Sequence, residues 1–243
     1  MKALAVIPAR YASTRFPGKP LALLNGKPLI QWVWEAVDST GLFDAVIVAT
    51  DSELIAEAVR KFGGRAELTS ADHASGSDRV AEVARKHGAD IVVNVQGDEP
   101  LITGAALSTL LDLFDDPEVR FASLMASLTD AAQLSDPNVV KVVVDRYSNA
   151  LYFSRAAIPH NRDQEPFGQY WRHIGVYAYR KQALLQFVAL PVGTLEQAEK
   201  LEQLRALENG IPIRMAATQY QGLGVDTPQD LERAEVLLTG DRS

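Results

Sequence analysis

Cysteine is absent from all 243 residues, so disulfides, thiolate nucleophiles and cysteine-based zinc sites are excluded, and a reducing compartment fits. Positive charge is in deficit, with 24 Lys and Arg against 31 Asp and Glu for a net charge of −7. That is the wrong sign for a generic nucleic-acid binder, whose non-specific affinity runs on surplus cations. No apolar run approaches the ~18 residues of a membrane-spanning helix. The opening Met-Lys-Ala-Leu-Ala-Val-Ile-Pro is too short and too soon broken by proline to act as a signal sequence. The expectation is a soluble cytoplasmic protein with neither nucleic acid nor membrane as partner. Three signatures are also missing: G-x-x-x-x-G-K-[ST], G-x-G-x-x-G and G-x-S-x-G. Their absence disfavours P-loop NTPases, Rossmann dehydrogenases and α/β-hydrolases. The histidines at 73, 87, 160 and 173 lack metal-ligand spacing, and there are no repeats, low-complexity segments or linkers.

What is present is globular in balance, at 47% hydrophobic and 23% charged residues. At this length about 70–75% of the unfolded chain's surface can be buried, enough for one good-sized core or two closely packed lobes. Charge is uneven along the chain. Lys2, Arg10, Arg15, Lys19 and Lys27 all precede the first acid, Glu35, so residues 1–34 carry +5 and the remainder −12. Such asymmetry points to an anionic ligand near the N-terminus, although by charge alone scattered solvated cations account for it as well.

Residues 2–7 form an apolar run closed by Pro8 and read as a buried parallel strand. A helix is predicted from about Pro28, with Ile30, Val33, Trp34 and Val37 on one face. A strand over 45–50 follows, then a helix over 52–62 stopped by Gly63-Gly64, a helix over 77–87 and a strand over 91–95. Alternation of this kind predicts a doubly wound α/β sheet, whose ligands sit beyond the carboxyl ends of the strands. The middle differs. Runs at 139–145 and 150–154, separated by Arg146-Tyr147-Ser148-Asn149, read as a hairpin, and 174–179 as a further strand. One domain over 1–243, its sheet mixed by an inserted antiparallel subdomain at about 135–190, is the economical organisation. A helix over 194–208, a strand over 212–218 and a last helix opened by Thr227-Pro228 complete it.

The segment Pro8 to Pro20 leaves the first strand where such a fold binds ligands, and it carries Arg10, Arg15 and Lys19 without a compensating acid. Guanidinium forks and an ammonium neutralise phosphate oxygens, and small residues let backbone N–H groups approach, so the loop reads as a triphosphate clamp. Asp98, in Gln96-Gly97-Asp98-Glu99-Pro100 just past a buried strand, stands where Mg²⁺ bridging phosphates is held by one or two carboxylates; an ordinary Gly-Asp turn ending the strand accounts for it equally. Asp226 precedes the helix cap at Thr227 and is not needed for capping; it reads as a solvated turn residue or as a second ligand. The polar knot of His73, Ser75, Gly76, Ser77, Asp78 and Arg79 suits a base or ribose; an ordinary N-cap on Ser75 or Ser77 accounts for it equally. On the helix over 194–208, Leu201, Leu204 and Leu207 take the core face, and periodicity predicts that Glu202 and Gln203 are solvated.

Taken together, these runs resemble the 3-deoxy-manno-octulosonate cytidylyltransferases, or CMP-Kdo synthetases. The matching segments are Ile7–Pro20, Val48–Asp51, Asp72–Arg79, Asn94–Pro100, Ala150–Arg155, Arg172–Tyr177, Lys200–Arg205 and Gly224–Pro228, in order over residues 5 to about 235. The resemblance implies a Rossmann-like nucleotidyltransferase, dimeric through the inserted strands. Its reaction couples CTP to the acidic 2-keto sugar Kdo with Mg²⁺, giving CMP-Kdo and pyrophosphate for bacterial lipopolysaccharide. By the same resemblance, Ala9, Arg10, Ser13, Arg15 and Lys19 form the nucleotide loop, and Ser75 and Arg79 contact the base. Asp98 and Asp226 hold the metal, and Arg15 and Lys19 act with them in catalysis. Gln96, Arg155, Arg162, His173, Tyr177, Glu202 and Gln203 hold the sugar acid, against the periodicity reading of the last two. A related branch takes an 8-amino analogue of Kdo; Glu99 sides with the Kdo branch. The competing classes are a non-catalytic sugar-nucleotide binding module, a metal-dependent glycosyltransferase, and a synthetase for another acidic sugar such as sialic acid.

Overall fold

Strand β1 (Ala3–Ala9) buries every side chain but that of Pro8, as a parallel strand covered on both faces requires. The computed structural model describes residues 1–12, 16–128, 130–163 and 169–240. After β1 come a small hairpin of β2 (Leu23–Leu24) and β3 (Lys27–Pro28), then α1 (Leu29–Asp38), β4 (Ala45–Thr50), α2 (Glu53–Lys61), β5 (Arg65–Leu68), α3 (Gly76–Lys86), β6 (Ile91–Asn94) and α4 (Gly104–Asp112). Pro28 caps α1 rather than opening it, and Ile30, Val33 and Val37 are fully buried beneath. Helix α2 ends at Phe62, and Gly63 then takes the left-handed φ of 87° that glycine tolerates without a Cβ penalty.

The chain divides into two compact units, residues 1–107 with 222–243 and residues 108–221. In the first, the strands lie in the order β6-β1-β4-β5, and each neighbouring pair is parallel. The chain works outward from β1 through β4 to β5 and then returns to the other side of β1 as β6. Strand order therefore reverses between β1 and β6, the topological switch point at which open α/β sheets bind ligands.

The second unit contains β7 (Phe121–Leu128), α5 (Ala131–Ser135), β8 (Lys141–Val144), β9 (Ala150–Ser154), β10 (Tyr170–Arg180), α6 (Lys181–Val188), α7 (Thr194–Glu199), α8 (Leu204–Glu208) and β11 (Arg214–Thr218); α9 (Pro228–Gly240) returns to the first. The expected hairpin is β8 against β9, antiparallel. Its turn closes on Asp145, whose carboxylate accepts the N–H groups of Tyr147 and Asn149, both at 2.8 Å. Strand β10 runs antiparallel to both β8 and β7, and β11 runs parallel to β7. The sheet is thus mixed, with the antiparallel strands in a unit broader than residues 135–190. Strand β7 is almost wholly buried and carries no sequence expectation, because a short Ala/Ser/Leu/Met run reads equally as strand or buried helix.

The single helix expected over 194–208 is two short ones. Lys200 adopts a left-handed φ of 54° after α7, and the chain turns through Glu202 and Gln203 before α8 begins at Leu204. This break resets the helical phase, with consequences for both polar residues.

Candidate active site

Because β1 and β6 are paired neighbours, Arg10 and the turn Val95–Asp98 emerge side by side from their carboxyl ends. The turn packs so closely on β1 that a Cβ at Gly97 would lie 2.8 Å from the Pro8 carbonyl oxygen, so only glycine closes it. A cleft of about 390 Å³ opens here, lined by Ala9, Arg10, Lys19, Gly76, Gln96, Asp98 and Asp226 among others.

Two backbone arrangements bring the acids together. The Val225 N–H donates to the Asp98 carbonyl at 2.9 Å, holding the approach to α9 against the β6 turn. Thr227 and Asp230 then cap α9 reciprocally: Thr227 Oγ1 accepts the Asp230 N–H at 3.2 Å, and the Asp230 carboxylate accepts the Thr227 N–H at 3.0 Å. The Asp226 carboxylate is not needed for the cap and turns to Lys19. Lys19 Nζ lies 2.6 Å from Asp98 Oδ2 and 3.1 Å from Asp226 Oδ1. Burial of the ammonium works against its charge, yet the two carboxylates outweigh it and raise its pKa above the usual lysine value. A pair of hard oxygen donors converging on one cation suits Mg²⁺, which takes one or two carboxylates and completes its shell from water and phosphate. Among the described residues there is no group of three or more His, Cys, Asp or Glu side chains that could hold a metal.

Arg10 Nη2 donates to the His73 carbonyl at 2.8 Å, which fastens the loop after β1 to the polar knot before α3. The knot itself is largely occupied. Ser75 Oγ accepts the Asp78 N–H at 3.1 Å while Asp78 Oδ2 accepts the Ser75 N–H at 3.0 Å, a capping box. Arg79 is wholly buried; its guanidinium donates to Asp51 Oδ2 at 2.8 Å and to Thr69 Oγ1. Burial lowers the Arg79 pKa, with Asp51 opposing and Arg10 adding to the shift. Of the knot, Gly76 lines the cleft, whereas Ser75 and Arg79 are engaged within the protein. Ser13 and Arg15 lie outside the described residues.

Most of the remaining expected residues gather in the second unit. His173 is buried against Phe153 and Tyr177, with ring centroids 4.9 and 5.4 Å away. Burial, reinforced by Arg172, drives its pKa down to about 3, so the ring is neutral near pH 7. Tyr177 Oη donates to Gln203 Oε1 at 3.2 Å, and burial beside Glu202 pushes the phenol's pKa up. Gln203 is 3% exposed and Glu202 half-buried, which corrects the periodicity expectation: the break at Lys200 turns both inward. The Gln203 Nε2 donor is buried without a hydrogen-bond partner among the described residues. Arg155 donates from Nε to the Glu199 carbonyl at 2.8 Å and from Nη1 to that of Pro137 at 2.9 Å. Arg162 stands in an exposed turn, and no described contact ties it to this cluster. Gln96, in the first unit, donates from Nε2 to Asn94 Oδ1 at 3.1 Å and lines the cleft.

Two polar residues with structural claims on these clusters escaped the sequence reading. Asp51 closes the matched run Val48–Asp51, so its position was marked although its bond to Arg79 was not. Ser123, on β7, lies 2.9 Å from His173 Nε2, and nothing in its local sequence marks it.

Residues 4–215 match the cytidylyltransferase family model. The 3-deoxy-manno-octulosonate cytidylyltransferase of Solibacter usitatus is 50% identical over 237 residues, covering 97% of this chain and 94% of that protein. The protein of the same name from Flavobacterium johnsoniae is 51% identical over 241 residues, covering 98% and 99%. A solved structure of CMP:2-keto-3-deoxy-manno-octonic acid synthetase complexed with CTP superimposes with a TM-score of 0.94 at 46% identity, covering 99% of this chain and all of that one.

Proposed function

The chain belongs to the 3-deoxy-manno-octulosonate cytidylyltransferase family, and from that premise we propose that it couples CTP to Kdo, giving CMP-Kdo and pyrophosphate. The observation that carries this reading is the switch-point cleft in which Asp98 and Asp226 converge on the Lys19 ammonium, beside the basic loop after β1. A cleft with paired cationic and acidic groups is equipped for a polyphosphate and its counter-ion.

In this reaction the anomeric 2-hydroxyl attacks the α-phosphorus in line, the bond to the β-phosphate oxygen breaks, and pyrophosphate leaves. Phosphoryl-type transfer is mostly positioning and charge stabilisation, so no dedicated general base is required. Backbone at Ala9, with Arg10, Ser13 and Arg15, cradles the triphosphate; Arg15 stabilises the departing pyrophosphate and Lys19 the α-phosphate. Asp98 and Asp226 would hold Mg²⁺, which when bound neutralises phosphate charge and acidifies the attacking hydroxyl. Ser75 and Arg79 support the base side: the cap on α3 and the buried Arg79–Asp51 pair fix the backbone facing the base. Gln96, Arg155, His173, Tyr177, Glu202 and Gln203 take the sugar acid, and Arg162 offsets the repulsion between its carboxylate and the triphosphate. An unpartnered buried amide at Gln203 supports this, since a buried donor left empty is costly unless a ligand fills it.

The chain is read further as a cytoplasmic homodimer serving lipopolysaccharide synthesis. No helix among the described residues is long and apolar enough to cross a membrane.

Pyrophosphate release with each nucleotide and a panel of 2-keto sugar acids tests the reading. CTP with Kdo is expected to turn over, with ATP and GTP excluded by size and UTP rejected because its exchanged edge leaves buried polar groups unpaired. Comparable kcat/KM for ATP and CTP would defeat it, and preference for sialic acid or the 8-amino analogue would move the substrate within the class. Failure to release pyrophosphate with any sugar acid would favour a binding module or a glycosyltransferase. Within the panel, Glu202→Ala and Gln203→Ala are expected to raise the sugar-acid KM or lower its kcat/KM while CTP parameters hold, because contacts to one substrate act on that substrate. Unaltered sugar parameters in both variants would place the acid-sugar pocket elsewhere.

A further inference from the structure

Strands β7 and β10 pair residue for residue as far as Leu124 and Ile174, and pairing then resumes at Ser123 and Tyr177. Gly175 and Val176 are therefore extra residues on β10, a bulge of the kind that re-aims side chains next to functional sites. Ser123 sits opposite it, fully buried. Its Oγ lies 2.8 Å from the Val176 carbonyl oxygen, 3.2 Å from that of Ile174 and 2.9 Å from His173 Nε2.

The proton inventory resolves these contacts. Two oxygens 2.8 Å apart attract only with a proton between them, and the hydroxyl is the only source of one, since a carbonyl has none. The Ser123 proton is thus committed to the bulge, and its oxygen can only accept from the imidazole. A neutral imidazole has one N–H, so it resides on Nε2 and leaves Nδ1 as an acceptor. On the other flank of the bulge, Tyr177 reaches Gln203 Oε1 at 3.2 Å, leaving the Gln203 amide N–H groups as donors.

We propose that Ser123 is a positioning residue of the sugar-acid site: its hydroxyl holds the β10 bulge through the Val176 carbonyl and keeps the His173 proton on Nε2, so that Nδ1 accepts from a sugar hydroxyl while Tyr177 is carried onto Gln203. This rests on the assignment of the His173–Tyr177–Gln203 cluster to the sugar acid. Ser123 itself touches no substrate. It acts as outer partners do when they set the tautomer and ring orientation of a functional histidine.

The test combines imidazole ¹⁵N–¹H long-range correlation spectra of ¹⁵N-labelled protein with steady-state kinetics for Ser123→Ala and Ser123→Thr. The His173 signal is identified by its loss in His173→Gln. Wild type is expected to show the Nε2–H tautomer alone, Ser123→Ala a mixture with Nδ1–H, and Ser123→Thr the wild-type pattern. In parallel, Ser123→Ala is expected to raise the sugar-acid KM about three- to tenfold, the equivalent of one ordinary hydrogen bond, with the CTP KM unchanged and Thr restoring it. A wild-type proton on Nδ1 overturns the proposal, as does an altered tautomer in Ser123→Ala with an unmoved sugar KM. A fall in melting temperature with both KM values unmoved reduces Ser123 to a packing role and also overturns it. Should the alanine variant not fold, the wild-type tautomer and the threonine variant decide. Absence of pyrophosphate release by wild type would sink the functional reading itself, whereas the tautomer measurement needs no substrate and judges the hold of Ser123 on His173 separately.

Discussion

Asp98→Asn is expected to lose metal-dependent turnover while keeping its fold. The substitution is nearly isosteric, and the backbone carbonyl of residue 98 still receives the Val225 N–H. The side chain, however, loses the charge that meets Lys19 at 2.6 Å, and a neutral amide is a much poorer Mg²⁺ ligand than a carboxylate. A kcat loss on the order of 10²-fold or more follows, by analogy with removing one preorganised electrostatic group from an active site. Steady-state kinetics at ordinary Mg²⁺, with far-UV circular dichroism as the folding control, is the measurement. Near wild-type kcat would remove Asp98 from the metal site.

Lys19→Met is expected to be comparably damaging and opposite in one respect. Methionine keeps length and apolar bulk but deletes the ammonium, so the stabilisation of the α-phosphate goes, and with it about 10²-fold or more in kcat/KM for CTP. Yet the same ammonium now neutralises Asp98 and Asp226, at 2.6 and 3.1 Å. Without it the two carboxylates lose their bond to that internal cation, and a divalent cation no longer competes with it. Binding of Mn²⁺ in the absence of nucleotide, followed by electron paramagnetic resonance, should therefore tighten in the variant. Weaker Mn²⁺ binding would mean that Lys19 orients the two acids and does not compete for them.

Both variants concern residues that were legible before any coordinates, and the reason is locality. A run such as Lys2–Ile7 can satisfy its burial only as a covered strand, and loops after such strands open on the ligand side of the sheet. The surplus of cations before Glu35 marked the loop that lines the cleft, and the turn after β6 placed Asp98 there. That Asp226 is not needed for the cap was also readable, because Thr227 and Asp230 are spaced to cap a helix by themselves.

The other residues were decided by contacts distant in sequence. The burial of Arg79 depends on Asp51, 28 positions away, which accepts from its guanidinium. Helical spacing put Glu202 and Gln203 in solvent, and a left-handed Lys200 cancels that spacing by ending one helix and letting another begin in a different phase. Arg155 is held from one side by the Glu199 carbonyl, 44 positions on. Ser123 had no signature at all, since its importance comes from a bulge on β10 some 50 residues later. Sequence by itself determined the α/β frame, the switch-point cleft and its charges, because these follow from strand burial, caps and local charge density. Tertiary structure alone decided which polar groups are buried, which proton goes where and which donors remain open, because those depend on partners that only the folded chain brings within hydrogen-bonding distance.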